Sequence, residues 1–242
     1  NQVIENKIGK SDKYDHAMQN LSYYLGLKKT NLLIEGYDIS HHAGKYAVAS
    51  LVKFSNQGPE KKLYKLYNIP DIYAGNDIGS IQNVLERRLS RAKEYSLPDI
   101  ILIDGGKAQL NSALRVFRAN ASYQPIILSI VKGANRIRAT ETILSEQGVL
   151  EIPLNSPGFN LLQQIRDESH RFAITNNRKK KIKRVTYSSL DNVKGLGPTK
   201  KKNLLKHFKS LQKINEASVP ELCQVPGISI TLAKKLNLLH RS

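Results

Sequence analysis

Cysteine, methionine and acidic residues are all scarce in these 242 residues. The single cysteine, Cys223, excludes an internal disulfide and any zinc site built from several cysteines. Its apolar helical surroundings mark it as a small core residue rather than a nucleophile. The only methionine is Met18 and the chain opens on Asn1, as expected of a piece of a longer protein. No apolar run is long enough to span a membrane and no stretch reads as a secretory leader. The cytoplasm is therefore the expected compartment, with neither a membrane nor a small molecule as partner.

The shortage of acid has the largest consequence. Asp and Glu number 20 against 38 Lys and Arg, a formal net charge of +18, which points to a polyanionic partner. The surplus is uneven. From Arg171 to Ser242 there are 17 basic residues and 3 acidic ones, whereas the first 170 residues carry 21 and 17. A near-neutral body with a strongly basic tail suggests a reaction domain joined to a holding domain; a basic surface without a specific ligand is the plainer alternative.

What is present divides by hydrophobic period. Residues 1–13 have little pattern and predict a loose leader, followed by a short helix through Ala17, Leu21, Tyr24 and Leu25. Strands are expected at 32–40, 46–54 and 62–69, and short apolar strands buried on both sides at 100–103 and 126–131. Helices are expected from Asp77 to Tyr95, with Ile78, Ile81, Leu85 and Leu89 on one face, and after Gly106. A hairpin over 140–152 and a long amphipathic helix through Leu161, Leu162, Ile165 and Phe172 follow. Three strands, a helix and further βα units make a mixed α/β sheet. The expected organisation is a leader and short helix (1–30), an α/β domain (31–177), a basic linker (178–187) and a small all-α domain (188–242).

Two acids, Asp38 and Asp104, stand at the carboxyl ends of apolar strands, where sites gather in α/β sheets. A charge there is costly unless it opens into a cleft or meets a cation. Two converging carboxylates suit Mg²⁺ or Mn²⁺, while each alone could be an ordinary turn former. Asp104-Gly105-Gly106-Lys107 could instead cradle a phosphate, but it lacks the spacing of known nucleotide loops. Arg166 and His170 share one helical face, suitable for holding a phosphate oxygen and for binding metal or moving a proton.

The tail contains an approximate repeat: Val193-Lys194-Gly195-Leu196-Gly197-Pro198 is echoed by Val225-Pro226-Gly227-Ile228-Ser229. Such turns between short helices expose backbone amides, and the glycines admit a phosphate. Gly195, Gly197, Gly227 and Ser229, with Lys200, Lys201 and Lys202 beyond the first turn, are the expected backbone-binding set, with Lys107 as a further DNA contact. An ordinary helix-helix turn is the alternative.

In order and spacing, Tyr37-Asp38-Ile39-Ser40-His41, Ile103-Asp104-Gly105-Gly106-Lys107 and Ile165-Arg166-Asp167-Glu168-Ser169-His170-Arg171-Phe172, with the two glycine turns, resemble the UvrC family of bacterial nucleotide excision repair. The resemblance runs from about Leu32 to Leu239. It implies an RNase H-like mixed sheet with flanking helices, followed by a tandem helix-hairpin-helix domain. It also implies a divalent-metal-dependent endonuclease that cuts DNA 5′ to a lesion. The family's catalytic Asp-Asp-His set falls on Asp38, Asp104 and His170, and a further acid on Asp77. Asn76 stands where the family has the first acid of that motif, and residues 132–141 depart from its charged pattern. The family's 3′ incision module and its segment for docking a UvrB-type damage-loading subunit lie upstream of the residues that match. The substrate so implied is duplex DNA with a bubble or single-strand junction. A DNA-binding scaffold with an idle site, and a nuclease acting on RNA hybrids, are the competing readings.

Overall fold

The computed structural model describes the chain except residues 1, 43–45, 74, 93, 121–122, 133–140, 192 and 239–242. For residues 2–11, 41–42, 46, 132, 177–189, 191 and 238 it describes the backbone alone. The chain divides into two compact units, Asn1–Thr175 and Asn176–Ser242.

The first unit is built on one mixed sheet. Strands β1 (Ile34–His42), β2 (Tyr46–Ser55), β3 (Gly58–Pro59) and β4 (Lys65–Asn68) form its antiparallel part. Strands β5 (Ile100–Asp104) and β6 (Ile126–Lys132) run parallel to β1, giving three parallel strands at the centre. The hairpin β7 (Glu141–Ser145) and β8 (Gly148–Val149) completes the order β3-β2-β1-β5-β6-β7-β8, with β4 also paired to β2.

Period-two alternation explains how helices cover both faces. Ile100 and Leu102 of β5 face one side and Ile101 and Ile103 the other, all essentially inaccessible to water. The first side is covered by α1 (Gln2–Tyr24) and α4 (Pro157–Asp191), through Met18, Leu21, Leu161, Leu162 and Ile165. The second is covered by α2 (Asp77–Leu89) and α3 (Lys107–Arg118), through Ile81, Val84, Leu85, Leu110 and Phe117. Each such side chain contributes about 1.5–3 kcal/mol by leaving water, which is why the apolar runs settle at the centre. Helix α4 starts where Ser156 Oγ accepts the Phe159 N–H at 3.2 Å, with Pro157 in the first position.

Several expectations are corrected. A helix already begins at Gln2, where a loose leader was expected; no proline interrupts residues 1–24. The third strand starts at Lys65, because Lys61–Leu63 first make a 3-10 turn. Helix α2 stops at Leu89 rather than Tyr95, and Ile78 is exposed while Ser80 and Arg88 are buried. Arg88 turns inward because its guanidinium meets Glu35 at 2.8 Å and the Ser96 carbonyl at 2.7 Å, an attachment that bends the chain after the helix. The basic stretch 178–184 is helical backbone within α4. Of the departing stretch 132–141, residues 133–140 lie outside the described residues.

The second unit is all helical, with α5 (Pro198–Phe208), α6 (Leu211–Glu216), α7 (Val219–Cys223) and α8 (Ile230–Leu238). Leu196, Leu204, Ile214, Leu222, Val225 and Leu236 make its core, and Cys223 packs half-buried at the margin. Among the described residues, no helix is long and apolar enough to cross a membrane.

Candidate metal centre

Asp38 ends the regular pairing of β1 with β5, and its partner across that parallel ladder is Asp104. The two carboxylates therefore leave neighbouring strands side by side. His170 reaches them from α4, so that one donor atom from each of the three lies within 4.8 Å of the others. Among the described residues this is the one such group of three. Asp38 is buried, Asp104 intermediate and His170 exposed, so the group opens to solvent on the histidine's side.

The surroundings hold these side chains in place. Ser40 Oγ donates to Asp38 Oδ2 at 2.5 Å, and Asp38 Oδ1 lies 3.5 Å from His170 Nδ1. Helix α4 sits tightly on the sheet beneath them. A Cβ placed on Gly36 would come within 2.4 Å of Ile165 Cγ2, so only glycine allows this approach. Ser50 Oγ donates to the Ser169 carbonyl at 2.9 Å. After Asp104, the turn is pinned by Ser129 Oγ, which donates to the Gly105 carbonyl. The Gly106 N–H donates to Gln109 Oε1 at 2.9 Å, so the rival phosphate-cradle reading of this turn loses one amide.

The other expected residues of this unit are not members of this group. Asp77 is the first residue of α2, whose start is capped by Asn76 Oδ1 accepting the Gly79 N–H at 2.9 Å. Asparagine caps as well as aspartate, which accounts for the helix tolerating that departure. Arg166 is mostly buried, its guanidinium paired with Glu141 and Asp167. Glu141 also accepts from Gln163 Nε2 at 2.9 Å. Lys107 is exposed at the start of α3. Ser40, Ser50 and Glu141 escaped sequence reasoning. Only Ser40 carried a signal, since residues two apart in a strand share a face.

On the opposite face of β1, Glu35 takes three hydrogen bonds from Arg88 and one from the Tyr37 hydroxyl at 2.8 Å, all within the core. Burial, then the Glu35 charge, pushes the Tyr37 hydroxyl well above the ordinary tyrosine range.

In the second unit, Gly195 and Gly227 both adopt positive φ, +96° and +89°, at the two turns. Gly197 precedes α5 with no side-chain cap, whereas Ser229 Oγ accepts the Leu232 N–H at 3.3 Å. Lys200 folds back on the Gly195 carbonyl at 3.2 Å, Lys201 is buried, and Lys202 is exposed.

Residues 22–174 match the model of the UvrC RNase H endonuclease domain, and residues 187–237 that of a SAM-like tandem helix-hairpin-helix. UvrABC system protein C of Pseudomonas syringae pv. syringae (strain B728a) is 39% identical over 239 residues, covering 97% of this chain and 39% of that protein. The protein of the same name from Pseudomonas fluorescens (strain SBW25) is 44% identical over 218 residues, covering 88% and 36%. The chain thus spans under two-fifths of the length of these curated relatives. A crystal structure of human ENDOV aligns with 60% of this chain and 73% of its own, at 12% identity and a TM-score of 0.36, too slight a likeness to build on.

Proposed function

The chain belongs to the family of UvrC RNase H endonuclease domains, and from that premise we propose that it is a divalent-metal-dependent DNA endonuclease making the 5′ incision beside a lesion in bacterial nucleotide excision repair. The observation that carries this reading is the convergence of Asp38, Asp104 and His170 at the open carboxyl end of the parallel strands.

Two carboxylates and an imidazole fit Mg²⁺ or Mn²⁺, which favour oxygen ligands and accept a nitrogen. The exposed side at His170 leaves room for water and a phosphodiester. Asp38, Asp104 and His170 would hold the ion, which when bound polarises the phosphate and lowers the pKa of water. Ser40 fixes one oxygen of Asp38 and so orients the other. Asp77 supports the site from the start of α2. Lys107 meets a backbone phosphate beside the cut. Arg166 would do the same once DNA draws it from Glu141 or Asp167. Gly195, Gly197, Gly227, Ser229 and Lys200–Lys202 form the proposed backbone grip of the tandem hairpins, with Lys202 the most exposed of the three lysines. The proposed substrate is duplex DNA with a bubble or junction. The proposed partner is a UvrB-type subunit engaged by the full-length protein, and the proposed compartment is the cytoplasm.

The test is nicking of a bubble-containing or pre-nicked duplex, with a matched RNA–DNA hybrid beside it, in Mg²⁺ or Mn²⁺. The expected result is metal-dependent nicking of DNA that is lost in Asp104→Ala. Cutting that survives this substitution, or that prefers the hybrid, would overturn the assignment.

A further inference from the structure

We propose that Ser50 is a positioning residue: its hydroxyl sets the rotation and height of α4 so that His170 reaches the Asp38–Asp104 pair. The inference rests on the metal-binding role proposed for these three residues, although half of its test needs no metal.

Ser50 is an unusual residue for its place. It is fully buried, and by the two-residue repeat of a strand it shares its face with Val48, Val52 and Phe54, all buried and apolar. A hydroxyl in such surroundings is costly unless it is bonded. Its partner is the Ser169 carbonyl, 2.9 Å away on α4. That carbonyl is in mid-helix, where it accepts the N–H four residues on. The helix therefore does not need Ser50 for hydrogen-bond satisfaction, and alanine at position 50 would need no partner at all. What the bond adds is location.

The location matters because of what lies on either side. Ser50 pairs directly with Asp38 across the β1–β2 ladder. Ser169 immediately precedes His170. Four residues earlier on α4, Ile165 sits on Gly36, two residues before Asp38 and on the same face of β1. Ile165 and Ser169 are one turn apart, so the close packing at Gly36 and the hydrogen bond at Ser50 together fix how α4 lies on the strands. His170 lies about 100° around the helix from Ser169, at the flank of the buried stripe. It is more than half exposed, and its ring approaches Asp38 Oδ1 at 3.5 Å. A rotation of α4 by about 20° would move a side-chain tip, at an outer radius of about 5–6 Å, by about 2 Å. Ligand distances tolerate roughly a tenth of that. Burial of Leu161, Leu162 and Ile165 sets which face of α4 meets the sheet, and the directed bond at Ser50 narrows the rotation left to it.

The experiment uses the whole chain as wild type, Ser50→Ala, Ser50→Cys and His170→Ala, with folding checked by circular dichroism. The cysteine keeps nearly the same volume with a weak donor, so it should behave as the alanine does even if the alanine variant folds poorly. In metal-free protein, at a pH above the imidazole range, the His170 ring signals are read by NMR with and without Asp38→Asn. Asp38→Asn should move them in wild type, and by less than about half as much in the Ser50 variants. In the second arm, Mn²⁺ affinity is measured by calorimetry. Loss of the Ser50 hydroxyl should weaken it about tenfold, towards the value for His170→Ala, as expected for a group that orients a ligand. DNA affinity without metal should be unchanged. Equal ring shifts in both backgrounds, or Mn²⁺ affinity unchanged by the Ser50 variants, would overturn the proposal. Failure of wild type to bind Mn²⁺ would instead overturn the proposed function, with the metal-free arm still deciding the role of Ser50.

Discussion

Asp104→Asn should make the metal-free protein more stable while removing the proposed metal-dependent cutting. Two carboxylate oxygens held within 4.8 Å repel each other. Coulomb's law puts that repulsion at about 1 kcal/mol with the dielectric of water and about 3 kcal/mol at an effective value near 20. With Asp38 buried, Asp104 half-buried and His170 open to solvent, about 1–2 kcal/mol is the reasonable expectation. Asparagine keeps the size and one acceptor oxygen of Asp104, so little packing is lost. In a unit of 175 residues each kcal/mol moves the melting temperature by about 2–4 °C. The variant should therefore melt roughly 2–8 °C above wild type in chelator. Mn²⁺ reverses the order. At a hundredfold excess over its dissociation constant a ligand adds about 2.7 kcal/mol to the state that binds it, and the variant, lacking one carboxylate, should gain much less. Thermal melts of both proteins in chelator and in Mn²⁺ make the comparison. A variant that melts below wild type in chelator, or gains as much from Mn²⁺, refutes the reasoning that these acids are held together for a cation.

Three further outcomes follow from packing and charge. Glu35→Gln should cost about 3–5 kcal/mol in urea unfolding, because it leaves the buried Arg88 guanidinium without its counter-charge; a loss under about 1 kcal/mol would refute this. The Arg171 hydrogen bonds hold the Glu168 carboxyl below its ordinary 4.5, so this pair stabilises the fold above the unfolded value and ceases to as pH falls through the lower folded one. Arg171→Ala should flatten the acid limb of the stability curve by at most about 1 kcal/mol, since Arg171 is largely exposed; a curve unchanged below pH 4.5 would count against the pair. Lys209 closes α5 at a φ of 66°, which glycine adopts without strain, so Lys209→Gly should stabilise the helical unit by about 1 kcal/mol in a melt.

The parts of the fold legible in the sequence were those governed by local pattern. The runs at 100–103 and 126–131 are central strands because four or more apolar residues in a row can be buried only on both faces. Asp38 and Asp104 stood out because charge at the end of such a run is out of place. What escaped depended on partners distant in sequence. The pattern of α2 assigned Arg88 no role, and Glu35, 53 positions away, draws it inward. Arg166 looked free to grip a phosphate, and its pairing with Glu141 arises only when the β7 hairpin closes against α4. Ser50 looked like any strand residue, since a lone hydroxyl does not announce its acceptor. The length of α4 was hidden by its basic stretch, whose charge reads as a linker although lysine and arginine are good helix formers.

The pairing of Asp38 with Asp104 across the ladder between β1 and β5 has a consequence for how such a site can vary. Neighbouring strands lie about 4.8 Å apart whatever side chains they carry. The separation of the two acids at the backbone is thus a property of peptide hydrogen bonds, and no loop or surface substitution can alter it without breaking the sheet. A slip of one residue between the strands would turn one acid to the opposite face and leave no partial version of the pair. The sheet thus sets the spacing of the two acids, whereas the histidine's place depends on the helix that delivers it.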